Sequence, residues 1–158
     1  MSFLIPDYSY RTIYDIDFEK LKKEGIKLVL VDIDNTIIAW DSVIVNEKLI
    51  AFFDELKDSG FVVRILSNAP KERAKEISKK LGVKGIGRSY KPFSFNFKKS
   101  INSEGFKKSE TIMIGDQIFT DLLGAKLAGI KVILVDPISK KELKVTKFMR
   151  LLEKFIRK

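Results

Sequence analysis

The chain has 158 residues, of which 45% are hydrophobic and 11% aromatic, enough for one packed domain over 1–158, and no Pro-, Gly- or Ser-rich linker divides it. It contains no cysteine and no histidine, which excludes disulfides, thiol chemistry, Ser-His-Asp triads, histidine bases and most zinc sites. The net charge of +9 is uneven, because residues 1–70 hold 8 Lys/Arg and 12 Asp/Glu, residues 71–109 hold 12 and 3, and residues 110–158 hold 10 and 6. The basic middle reads either as a solvated lysine-rich surface or as attraction to phosphate-rich partners. No stretch reaches the ~18 apolar residues of a membrane span and no secretory leader pattern opens the chain, so a cytoplasmic protein is expected.

In chain order, residues 27–31 form an apolar, β-branched run bounded by Gly25 and by acids, as in a strand buried on both faces. Asn46 then caps a helix with Leu49, Ile50, Phe53 and Leu56 on one face and Gly60 past its end. Residues 61–66 repeat the strand pattern, and Pro70 opens a helix with Ala74, Ile77 and Leu81 buried and Gly82 closing it. A short apolar segment around Val83–Ile86, a strand over 111–114, a helix from Thr120 to Ala128 closed by Gly129, and a strand over 131–135 complete the alternation. Strands alternating with helices predict an α/β doubly wound, mainly parallel sheet, with ligands at the carboxyl ends of the strands.

Those ends carry the polar residues. Asp32 and Asp34 flank Ile33, so at a strand end both carboxylates can share a face while Ile33 turns inward. Such a pair is tolerable with a cation between them or one of them protonated, and either arrangement suits a carboxylate that attacks phosphorus beside one that moves a proton. The same pattern also serves calcium and nucleotide-sugar sites, or simple turns. Ser67 and Asn68 at a helix start can hold a phosphate oxygen or merely cap the helix. Lys91, stiffened by Pro92, can balance charge near the aspartates, although it is one lysine among many. In Gly115-Asp116-Gln117-Ile118-Phe119-Thr120-Asp121, the glycine allows a tight turn, Asp116 can complete an oxygen shell for Mg²⁺, and Asp121 is either part of the site or a helix cap.

Taken in order, these four segments resemble the motifs of the haloacid dehalogenase-like (HAD) superfamily of phosphatases, and more narrowly the YqeG-type subgroup of its class IIIA. Supporting features at the ends of the chain include Ile5-Pro6-Asp7-Tyr8 and Val135-Asp136-Pro137. The resemblance implies a HAD-like fold with Asp32 as nucleophile and Asp34 as general acid/base. It also implies Mg²⁺ on Asp32, Asp116 and the main-chain carbonyl of Asp34, with Ser67, Asn68 and Thr36 near the phosphoryl group and Lys91 neutralising its charge. Asp121, with Gly115 and Gln117 around it, would order the lysine or the metal's waters.

HAD enzymes often insert a cap between these motifs. Here 30 residues lie between Thr36 and Ser67 and 22 between Asn68 and Lys91, each span used up by a helix and a strand. A capless, open site suits a phosphomonoester whose bulk lies outside the pocket. The subgroup is similar to phosphatases of phosphatidylglycerophosphate, which makes a lipid at the inner face of a membrane the leading expected partner. The basic middle with Phe93, Phe95, Phe97, Lys98 and Lys99 is consistent with an anionic bilayer, while Phe93 and Phe97 at helical spacing also read as core. A basic amphipathic stretch with Phe148, Leu151, Leu152 and Phe155 is expected to dock on the domain. Two alternatives are a nucleotide or nucleic-acid phosphatase, which no RNP-like, zinc or helix-turn-helix motif supports, and a catalytically idle binding module.

Overall fold

The computed structural model describes residues 4–139 and 153–154. They form a six-stranded sheet in the order β1-β6-β5-β2-β3-β4, with β1 at Tyr8–Tyr10, β2 at Leu28–Val31, β3 at Val62–Leu66, β4 at Lys84–Ile86, β5 at Thr111–Gly115 and β6 at Lys131–Val135. Every neighbouring pair is parallel. The helices are α1 at Phe18–Lys23, α2 at Glu47–Asp58, α3 at Lys71–Leu81, α4 at Phe95–Glu104 and α5 at Leu123–Ala128.

All four residues of β2 are buried, which explains the unbroken apolar run: with side chains alternating across a strand, each face must meet its own core. Val29 and Val31 join Leu49, Phe53 and Ile77 on one side, and Leu28 and Leu30 join Phe97, Leu122 and Ala125 on the other. The Asn46 side chain accepts the Leu49 N–H at 2.9 Å and so starts α2, while Gly82, at φ 68, closes α3 in the left-handed region.

From β2 the chain winds through β3 to β4 on one side, then crosses to β5 and β6 on the other. The winding direction therefore reverses between β2 and β5, and the crevice of an open α/β sheet forms there. One helix occupies each of the β2-to-β3 and β3-to-β4 connections, leaving no cap.

Several details differ from the sequence expectation. The predicted helix over 120–128 is instead a π-helical turn, Ile118–Leu122, continued by α5. Strand β1 and helices α1 and α4 are additions. Phe97 is fully buried, but Phe93 is 65% exposed and is not core, because α4 begins at Phe95 and Phe93 precedes the register that buries Phe97. The amphipathic stretch near the carboxyl end falls outside the described residues except for Glu153 and Lys154; Glu153 is buried and accepts the Ile118 N–H at 2.6 Å.

Candidate active site

Asp32 continues the β2 ladder, its N–H donating to the Ile114 carbonyl at 3.0 Å. The chain then turns sharply. The N–H groups of Thr36, Ile37 and Ile38 converge on the Ile33 carbonyl at 3.1, 3.1 and 3.3 Å, and Asn35 takes φ 61, a left-handed conformation that asparagine tolerates. This turn buries Ile33 and brings the Thr36 hydroxyl to the neighbouring strand end, where it donates to Asp116 Oδ1 at 3.0 Å.

Beyond β5, Asp116 and Asp121 are fully buried. Asp121 Oδ2 accepts the N–H groups of Asp116 and Gln117, each at 3.1 Å, and its Oδ1 receives Lys91 Nζ at 2.6 Å. Gly115 makes this possible, since a β-carbon there would collide with the Asp121 carboxylate. Lys91 Nζ also lies 3.0 Å from Asp32 Oδ1, with only 1% of its side chain exposed. The lysine is held from behind by Asn68, whose Oδ1 accepts Lys91 N–H and Ser89 Oγ–H, both at 2.9 Å, and whose Nδ2 donates to the Lys91 carbonyl at 3.0 Å. Asn68 thus buckles the end of β3 to the lysine loop. Ser67 is buried beside it, its Oγ accepting the Ala69 N–H at 3.0 Å, and Gln117 Oε1 accepts the Thr120 hydroxyl at 3.0 Å.

One oxygen from each of Asp32, Asp116 and Asp121 lies within 4.8 Å of the others. Three buried carboxylates against one ammonium leave an excess of negative charge in a low-dielectric spot, which is costly unless a proton or a cation joins them. Burial, reinforced by the charge of Asp32, pushes the Asp121 carboxyl up to about 7 even though Lys91 opposes the shift. Burial alone would lower the Lys91 ammonium, but Asp121 and Asp32 outweigh it and hold it above its ordinary value, so the lysine stays charged. Hard carboxylate oxygens in this setting fit a divalent cation of the Mg²⁺ type. Asp121, with one oxygen on Lys91 and the other on two amides, is the least suited of the three to be a ligand.

Asp34 takes another direction. Its Oδ1 receives Arg73 Nε at 3.0 Å and Nη2 at 2.7 Å, and Arg73 also donates to the carbonyls of Ser42 and Ala39. Burial and then the charge of Asp32 raise the Asp34 carboxyl above its usual range, against the pull of Arg73. Sequence reasoning missed Arg73: it lies 39 residues from Asp34 in a lysine-rich helix, and no local pattern marks it. A cleft of about 640 Å³, lined in part by Arg11, Tyr14 and Asp136, borders this centre at Thr36 and, through Ala39 and Ser42, at the segment that holds Arg73.

A profile of haloacid dehalogenase-like hydrolases matches residues 5–129. The chain belongs to that family. It is 36% identical over 154 residues to the probable phosphatase YqeG of Bacillus subtilis, covering 98% of this chain and 90% of that protein. It is 28% identical over 149 residues to the chloroplastic/mitochondrial phosphatidylglycerophosphate phosphatase 1 of Arabidopsis thaliana, covering 89% of this chain but 43% of the plant protein. Among solved structures, a HAD phosphatase from Thermococcus onnurineus superposes with a TM-score of 0.60 at 18% identity, covering 84% of this chain and 98% of that one. The cobalt-bound deoxy-D-mannose-octulosonate 8-phosphate phosphatase of Haemophilus influenzae gives 0.57 at 15% identity, covering 84% and 90%. At those identities the structures speak for the HAD fold alone. Family and relatives together make the chain a HAD phosphatase, a phosphoric monoester hydrolase, and its cluster of Asp32, Asp116 and Asp121 could hold a metal ion.

Proposed function

We propose that this HAD phosphatase hydrolyses a lipid phosphomonoester of the phosphatidylglycerophosphate type, through an aspartyl-phosphate on Asp32 and with Mg²⁺ as its metal. The observation that carries the catalytic part is the buried contact between Asp32 and Lys91 at 3.0 Å, beside Asp116 and Asp121 at the switch point of the sheet. In this reading Asp32 Oδ attacks phosphorus while Asp34 gives a proton to the departing alcohol oxygen. A water then attacks the phosphoryl group, Asp34 takes the proton of that water, and phosphate leaves with Asp32 restored. Lys91 balances the charge of the transferring group. Asp32, Asp116 and the main-chain carbonyl of Asp34 would hold Mg²⁺, which when bound offsets the charge of the phosphoryl oxygens. Ser67 meets a phosphoryl oxygen. Thr36 and Asn68 support the site by orienting Asp116 and Lys91.

The lipid part rests on the likeness to the plant phosphatase and on the absence of any element over the site among the described residues, which leaves room for a bulky diacyl group. No helix of the described residues is long and apolar enough to cross a membrane, so access to such a substrate would be peripheral, from the cytoplasmic side. With Mg²⁺ and p-nitrophenyl phosphate the chain should turn over and Asp32→Asn should not; wild-type turnover by that variant would refute the mechanism. Across phosphatidylglycerophosphate micelles, nucleotides, sugar phosphates and phosphorylated oligonucleotides, the lipid should give the highest kcat/KM. A preference for sugar phosphates would refute the lipid reading.

A further inference from the structure

From the loop after β4 to the first residue of α4 the chain exposes three aromatic rings within six positions, Tyr90 at 60%, Phe93 at 65% and Phe95 at 54%. They flank the loop that carries Lys91. Tyr90 and Phe95 form one cluster, with ring centroids 6.0 Å apart, and the Phe93 N–H donates to the Tyr90 carbonyl at 2.9 Å across a tight turn. Tyr90 takes φ 57 and Arg88 takes φ 45, in the left-handed region where a bulky residue is strained and glycine is not. The fold does not need an aromatic ring at Tyr90: the side chain packs into neither core.

Beside this loop, α3 presents Lys71, Lys75 and Lys79 at four-residue steps along one exposed face, where they line a groove with β4. The start of the lysine row adjoins the segment that leads into the aromatic loop. A β-carbon on Gly87 would come within 2.8 Å of Lys71 Cα, and the Arg88 N–H donates to the Ala69 carbonyl at 2.8 Å. The acids of α3 do not neutralise the row: Glu76 pairs with Lys80 at 3.3 Å, and among the described residues none of the three lysines has an ion-pair partner. Lysines and aromatic rings displayed together match a surface that is anionic outside and apolar beneath.

We infer that this face docks the protein on an anionic bilayer, with Tyr90, Phe93 and Phe95 entering the headgroup boundary and Lys71, Lys75 and Lys79 meeting lipid phosphates. It deepens the lipid reading above and rests on that reading for its purpose, since it would bring the mouth of the site to a phosphate borne by the membrane. The docking itself is measurable without turnover.

The test is co-sedimentation with vesicles of phosphatidylcholine alone and of phosphatidylcholine with phosphatidylglycerol, alongside turnover of p-nitrophenyl phosphate in solution. The wild type should bind only the anionic vesicles, and less so as salt rises. Each of Lys71→Gln, Lys75→Gln and Lys79→Gln should lower partition about fivefold, and the triple variant Tyr90→Gly, Phe93→Ser, Phe95→Ser should lower it at least ~10-fold. Solution turnover should be unchanged in all of them, which also establishes that they fold. Wild-type partition in both sets of variants overturns the proposal, as does wild-type binding to single-stranded RNA, lost in the same variants, with no binding to vesicles. Absent turnover of p-nitrophenyl phosphate by a wild type that binds vesicles would instead count against the catalytic reading and leave the docking face standing.

Discussion

Lys91 and Arg73 each hold one aspartate of the Asp32-Ile33-Asp34 run, and they do it in different ways. Lys91 is a compact charge sealed between Asp32, at the end of β2, and Asp121, in the π-helical turn that follows the adjoining β5. Arg73 keeps 15% of its side chain exposed and forks between the Asp34 carboxylate and two carbonyls of the segment after it. The contrast follows the chemistry of the two cations: an ammonium acts as a point charge, whereas a guanidinium fixes direction with planar donors. The floor of the site is thus built to balance charge, and its flank to aim a carboxyl group.

After the loss of Asp32 itself, removing the carboxyl group that Arg73 aims should have the largest effect. Asp34→Asn should lower kcat on an alkyl phosphate by ~10²–10⁴ while leaving the fold intact; steady-state kinetics and a thermal melt check both, and unchanged kcat would remove Asp34 from its role. On the floor, Lys91→Met leaves two buried carboxylates without their cation, which should cost about 3–5 kcal/mol of stability, measurable by urea denaturation with a chelator present. A loss below ~1 kcal/mol would mean that the floor does not depend on lysine for its charge balance.

The floor also predicts a coupling between pH and metal. The Asp121 carboxyl titrates at about 7 in the fold against ~3.9 in an unfolded chain. Its folded value is raised, so the stability it contributes is full below ~4 and is lost as pH rises through about 7. A divalent cation replaces the missing proton. At a fixed concentration about 100 times the Kd measured at pH 8, Mg²⁺ should therefore raise the melting temperature by roughly 5–10 °C at pH 8 and by less at pH 5; equal shifts at both pH values would break the link. The smallest effect belongs to the aiming group: Arg73→Gln should reduce kcat about 10-fold with KM nearly unchanged, and Arg73→Lys should not restore it, because one ammonium cannot reproduce the fork. Rescue by lysine would make Arg73 a simple charge.

Three of the four strand-end segments could be read because each follows an apolar run long enough to mark a buried strand, and Lys91, which follows only the short, exposed or half-buried β4, because the order of the segments along the chain becomes their proximity in the sheet. What escaped reading depends on distant partners. Strand β1 has only three residues, half-buried or exposed, and exists because Tyr8 to Tyr10 pair with Ile133 to Val135. Arg73 acquires meaning only from Asp34, and Glu153 only from Ile118. Phe93 was misread by spacing alone, since helical periodicity counts only from where the helix starts. The family resemblance supplied the roles of Asp32 and Asp34, but it could not supply Arg73, which no motif contains.

The central pairing of the sheet joins Leu28 to Thr111. For a chain still on the ribosome, this means that the strand ending at Asp32 emerges long before the strand that leads to Asp116 and Asp121, and before its own flanking partner on that side exists. Pairing over such a distance is slow to form. On the proposed mechanism, an amino-terminal piece that ends before β5 lacks Asp116 and Asp121 and should not hydrolyse a phosphomonoester.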